Sequence, residues 1–137
     1  MAQHKIGGTQ VDEFTWMFIT TLFFCTDEES FPEYCYQGEF EISEEDAMRL
    51  DFDSLSRIIE LCDAFQNTAP DYLIEAYEAR TGCCAGSHFA FTVLRTGAGY
   101  ELGSKYGEML DTAARTYPRL QGLIRNEDKP MGEIILM

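Results

Sequence analysis

Residues 86–103, GSHFAFTVLRTGAGYELG, constrain the fold more than any other stretch of the chain. Side chains alternate on either side of a Gly-rich segment, and that alternation predicts a β-hairpin over 88–102. Phe89, Phe91 and Val93 fall on one face of its first strand and His88, Ala90, Thr92 and Leu94 on the other, because successive strand side chains point to opposite faces. Across the reversal Ala98, Tyr100 and Leu102 make the apolar side of the second strand, while Gly97 and Gly99 suit the turn. Further on, RLQGLIRN and EIILM read as two strands joined by the turn EDKPMG. The expected sheet is therefore small, antiparallel and four-stranded.

Helical periodicity supplies the rest. In DEFTWMFITTLFFCT, Phe14, Met17, Phe18, Thr21, Leu22 and Cys25 fall at helical spacing, and Asp12 and Glu13 favour a helix start through the backbone dipole. Its Thr and aromatic content would equally suit a buried strand. Ser43 can cap a helix whose first turn is Glu44, Glu45 and Asp46. A second capping opportunity at Asp53 and Ser54 breaks it near Asp51, after which Leu55, Ile58, Ile59, Cys62 and Phe65 form an apolar stripe with Glu60 and Asp63 toward water. A short helix follows over Asp71 to Arg80, ended by Thr81 and Gly82. From a Ser104 cap, Tyr106, Met109, Leu110, Ala113, Ala114 and Tyr117 repeat on one face until Pro118. The fold class expected is α+β, with N-terminal and central helices covering the sheet. With 137 residues, one domain is expected, with residues 1–10 a flexible terminus.

Charge is the unusual quantity: 24 Asp and Glu against 10 Lys and Arg give a formal net charge of −14. It is unevenly placed. Residues 12–78 hold 18 acidic side chains against Arg49 and Arg57 alone, a balance of −16, whereas residues 79–137 balance at +1. Repulsion disfavours binding to nucleic acid or an anionic membrane. A solvated face that keeps the protein soluble accounts for the acidity as readily as a functional surface does. The functional alternative is an imitation of nucleic acid, in which carboxylates on rigid helices stand in for phosphates before a basic groove.

Five cysteines, an odd number, and a start, MAQHKIGGTQ, without a basic and apolar leader point to a reducing compartment, taken as the bacterial cytoplasm. The apolar run Phe14 to Phe24 is too short for a membrane span. Cys83, Cys84 and His88 are the one cluster of soft ligands, but adjacent cysteines do not serve one tetrahedral zinc readily, and no oxyanion loop or orienting third residue accompanies a Cys84/His88 pair. No catalytic residue, metal or cofactor is expected, and His88 is read as making a structural hydrogen bond. TGAGYELG lacks the GK[ST] of a phosphate loop.

The order Phe89, Thr92, Gly97, Ala98, Gly99, Tyr100, an FxxTxxxxGAG[FY] pattern, resembles a group of uncharacterised small proteins of bacteriophages and other mobile elements. The likeness runs through YGEMLDTAARTYP and covers about the C-terminal 55 residues, with a weaker echo in CTDEESFP and LCDAF. The family's Arg beside the Thr is Val93 here, and its Asn-Gly turn is Leu94 and Arg95. The resemblance implies a mobile-element origin, a context in which small acidic proteins counter host defences. The expectation is then a non-enzymatic protein that binds and inhibits a host nucleic-acid-handling complex of the CRISPR or restriction type. Its contact surface would be Asp27, Glu28, Glu29, Glu33, Glu39, Glu41, Glu44, Glu45, Asp46, Asp51, Asp53, Glu60 and Asp63. The alternatives are an assembly protein that dimerises through aromatic surface, and an enzyme or metal protein using Cys84 and His88.

Overall fold

The computed structural model describes residues 3–26, 31, 42–69, 71–82, 84–96, 99–100, 103, 105–125 and 134–136. The fold is α+β, as expected. The elements run β1 (Gln3–Ile6), β2 (Thr9–Asp12), α1 (Glu13–Phe24), α2 (Glu44–Ala47), α3 (Phe52–Thr68), α4 (Asp71–Thr81), α5 (Ala85–Leu94), α6 (Lys105–Ala114), β3 (Leu123–Arg125) and β4 (Ile134–Leu136).

The hairpin expected over 88–102 does not form: residues 85–94 are the helix α5. Ala85, Gly86, Ser87, Phe89, Ala90, Thr92, Val93 and Leu94 are all buried, so the helix is apolar nearly all round. A helix buried on every side shows no amphipathic period, and its Phe, Thr and Val then imitate a strand. What permits the helix is a close crossing with α1. A Cβ at Gly86 would stand 2.1 Å from the carbonyl oxygen of Phe14, so only glycine lets the two backbones approach this far. Around the crossing Phe14, Phe18, Phe65 and Phe89 make the aromatic core, with Phe65 and Phe89 stacked at 4.1 Å between ring centroids.

Arg95 ends α5 in the left-handed conformation, φ 57°. Its guanidinium donates to the carbonyls of Thr92 at 2.6 Å and Tyr117 at 3.0 Å, so one side chain satisfies the C-terminal regions of both α5 and the segment after α6. Beyond it, the residues of the FxxTxxxxGAG[FY] pattern that the structure describes serve packing. Phe89 lies in the core, Thr92 Oγ1 stands where a Cβ on Gly99 would be 2.7 Å away, and the buried Tyr100 hydroxyl donates to Ala85 O at 2.9 Å. Gly97, Ala98 and Leu102 lie outside the described residues.

The expected four-stranded sheet is instead two separate two-stranded antiparallel sheets among the described residues. The pair at 123–125 and 134–136 forms as the sequence suggests, with Ile124 opposite Ile135. The other pair is β1 with β2, in the stretch expected to be a flexible terminus. Gly7–Gly8 joins Ile6 to Thr9 as a two-residue hairpin loop, and Gly7 takes φ +63°. His4 then stacks on Trp16, 4.4 Å between centroids, which fixes the hairpin to α1.

Helix boundaries follow the capping chemistry. Asp12 accepts from Thr15 N at the start of α1, and Ser43 from Asp46 N at the start of α2. The helical break falls near Asp51 as expected, but the cap is Asp51 itself, accepting from Ser54 N, rather than Asp53 or Ser54. The break is held from outside: Asp51 N donates to Ile134 O at 2.9 Å and Ile134 N to Arg49 O at 2.8 Å, a short parallel bridge between Leu50 and β4. Among the described residues no helix is long and apolar enough to cross a membrane.

Candidate functional site

Of the acids expected to form a contact surface, Asp27, Glu28, Glu29, Glu33, Glu39 and Glu41 lie outside the described residues. The remainder belong to α2 and α3. Glu44 and Glu45 are exposed on the first turn of α2, and Asp46 is half-buried with its carboxylate 3.1 Å from Ser43 Oγ. Asp51 is half-buried as the α3 cap. Asp53, Glu60 and Asp63 are exposed along α3. Asp53 and Glu60 are two turns apart, about 10 Å along the axis, and Arg57 lies between them in sequence.

The structure joins these acids to others that sequence spacing does not single out. His4 Nε2 is 2.7 Å from the Glu13 carboxylate and its Nδ1 is 3.8 Å from that of Glu44, so one imidazole links α1 to α2. Glu44 also accepts from Lys5 N at 3.0 Å. Next to Glu13, Asp12 caps α1 with one oxygen and takes Gln66 Nε2 on the other at 3.2 Å. On α3, partial burial and then the nearby Asp12 carboxylate raise the Asp63 carboxyl above its ordinary range. Finally Asp12 and Glu13 line a cleft of about 460 Å³ together with Glu75, Glu78 and Cys84. An acidic band is thus linked pairwise: Glu44 to Glu13 through His4, Asp63 near Asp12, and Asp12 and Glu13 in one cleft with Glu75 and Glu78.

Several of these acids are held by hydrogen bonds. Glu78 reaches across to accept from Ala85 N at 2.8 Å and so caps α5 from α4, while Asp12, Asp46 and Asp51 each engage a backbone N–H or hydroxyl. Glu45, Asp53 and Glu60 point to water, with no cation among the described residues at ion-pair distance. The thiol of Cys62 is pushed well up by burial, against a smaller opposite effect of its hydrogen bond with Thr15.

The Cys/His alternative acquires a clear geometry. His88 Nδ1 lies 2.5 Å from the Tyr77 hydroxyl, with Tyr77 and Tyr100 both packed edge-on to the imidazole. This is the structural hydrogen bond expected for His88, made on a helix instead of at a strand entrance. Cys84 precedes α5 in the wall of the acidic cleft, and Cys83 lies outside the described residues. Among the described residues no three His, Cys, Asp or Glu side chains are grouped so as to hold a metal ion.

Sequence reasoning missed Asp12, Glu13, Glu75 and Glu78 as members of the band, and His4 as its bridge. A cap position and an ordinary exposed helix face are all their local sequence displays, so only the tertiary fold brings them together. Compared with models of known protein families, with curated proteins and with solved structures, the chain matches none.

Proposed function

We propose that the chain is a non-enzymatic binding protein that occupies a basic, nucleic-acid-binding surface of a host defence complex of the CRISPR or restriction type, its carboxylates standing in for phosphates. One observation supports this reading: in a chain of net charge −14, the fold brings acids far apart in sequence together, Glu13 and Glu44 about His4, and Asp12, Glu13, Glu75 and Glu78 about one cleft. Folding so many like charges together costs stability through self-repulsion, and acids already held by hydrogen bonds meet a partner with less further ordering. A basic groove would meet such an array with the same Arg and Lys side chains that meet a phosphate backbone. The phage and mobile-element setting rests on the FxxTxxxxGAG[FY] resemblance.

The test is competition with DNA. A purified host CRISPR or restriction complex is titrated with labelled target duplex in the presence of the protein, at low and at raised salt. Displacement of the duplex that weakens as salt rises is the expected result. Reversal to Lys of Glu45, Asp53 and Glu60, the acids that point to water, is expected to abolish displacement while leaving the circular dichroism spectrum unchanged. Displacement that survives this reversal, or is indifferent to salt, would remove the acidic band as the contact surface.

A further inference from the structure

The α2 end of the band has an apolar centre. Met48 and Phe52 are 56% and 74% exposed, a costly position for a large aromatic side chain in water. They border an open concavity of about 460 Å³, with the Ile6–Gly7–Gly8 turn of the first hairpin as its far wall and Leu50 and Leu55 at its base. The frame is held firmly. Glu44 ties α2 to the backbone of Lys5, and the bridge between Leu50 and Ile134 fixes the segment between Met48 and Phe52.

Charge decides what can occupy it. Residues 42–56 carry Glu44, Glu45, Asp46, Asp51 and Asp53 against Arg49 alone, with Lys5 next to Ile6 in sequence and Arg57 one turn further along α3. A second copy docking here about a two-fold axis would set this acidic rim against itself. A cationic partner would find both halves of a binding site, an apolar socket and the exposed Glu44, Glu45 and Asp53 of the two helices that border it.

We propose that the Met48–Phe52 concavity seats one apolar side chain of a positively charged protein partner, whose flanking Lys and Arg side chains lie on the acids around it. This rests on the acidic-band reading above and sharpens it, because duplex DNA offers no such side chain. The site then discriminates between basic proteins, which charge alone does not do. An apolar anchor at the centre of a charged rim is also where truncation has its largest effect on binding.

Two synthetic basic peptides of equal length and charge serve as probes, one with Leu at helical i, i+3 and i+4 spacing and one with Ser at those positions. Binding to the full chain is followed by fluorescence anisotropy at physiological salt. The Leu peptide is expected to bind at least about tenfold more tightly, and Phe52→Ala to erase that difference while leaving the Ser peptide and the thermal melt unchanged. Equal binding of the two peptides, a preference that survives Phe52→Ala, or no binding of either peptide overturns the proposal. Should the peptides bind equally and the Glu45, Asp53 and Glu60 reversal abolish both, the acidic-band reading stands alone. If binding is indifferent to that reversal as well, both readings fall. A concentration-dependent dimer in sedimentation that Phe52→Ala dissolves would assign the concavity to a second copy and likewise overturn it.

Discussion

Replacing Gly86 by Ala is expected to destabilise the protein by about 2–3 kcal/mol, although an alanine in a helix is intrinsically better than a glycine by up to about 1 kcal/mol. The added Cβ would lie 2.1 Å from Phe14 O, 2.9 Å from its carbonyl carbon and 3.2 Å from its Cα. An ordinary carbon–oxygen approach is about 3.3 Å or more, so α1 and α5 must separate by roughly 1 Å. A gap of that size forfeits about a quarter to a half of each dispersion contact across the crossing, including those of Phe14 and Phe18 with Phe89. Urea titration followed by circular dichroism and by the fluorescence of the single Trp, buried on α1 as Trp16, measures the change. The midpoint should fall with an unchanged slope, and the melting temperature should drop by roughly 10 °C. Gly8→Ala, where a Cβ meets nothing within 4 Å, is the control and should stay within about 0.5 kcal/mol. A Gly86→Ala protein as stable as the parent, or more so, would refute the close-crossing explanation of why 85–94 is helical.

Arg95→Ala should cost about 1–2 kcal/mol through the lost bonds to Thr92 O and Tyr117 O. Arg95→Gly should cost about 1 kcal/mol less, since glycine relieves the left-handed backbone; thermal melts that rank the two the other way would contradict the double-cap role. Because the Asp63 carboxyl is raised in the folded state, the native protein holds that proton more readily, so this group's effect on stability improves as pH falls through the raised value toward the ordinary Asp range near about 4. Asp63→Asn should therefore stabilise at neutral pH and lose its advantage below about pH 3, as read by urea midpoints across pH. At the alkaline end, burial pushes the Cys62 thiol and the Tyr100 hydroxyl well up, so both stay neutral in the fold. Their stabilisation is complete below the unfolded values near about 8.5 and 10 and is lost as pH rises past them. Urea midpoints that stay level between pH 8 and about 11 in the parent, or fall equally in Tyr100→Phe, would contradict this.

Amphipathic elements were legible in the sequence because one side faces water. Leu55, Ile58, Cys62 and Phe65 of the α3 stripe and Leu110 and Ala114 of the α6 repeat are buried as their spacing implies, whereas Ile59 is half-buried and Met109 is exposed at the edge of the repeat. The helix α5 was not legible, since His88 to Leu94 are apolar on both strand faces and on nearly every helical face alike. Gly86 and Ala90, small residues one helical turn apart, were the available hint of a close helix crossing. The first hairpin was missed despite its Gly-Gly signal, because Gln3 to Ile6 and Thr9 to Asp12 are polar and short, and a strand pair of that kind gains its stability from packing, here of His4 on Trp16.

The site divides along the same line. Caps such as Ser43 with its acidic first turn are local and readable. The union of Glu13 with Glu44, or of Asp12 with Asp63, spans tens of residues and follows only from how the helices pack. Phe52 is a further case: three residues before Leu55, it continues the α3 stripe by spacing, yet it is 74% exposed.

The bridge between Leu50 and Ile134 carries a consequence for the order in which the molecule is built. During synthesis residues 43–56 leave the ribosome long before residue 134 is translated, so the corner that presents Glu44, Glu45 and Phe52 has no β4 to lean on until then. The helical layer can assemble while the chain is still growing, with α2 already tied to β1 through Glu44, but the corner gains its backbone bridge only when β4 has emerged. A nascent chain stalled short of residue 134 would carry the charge without that bridge.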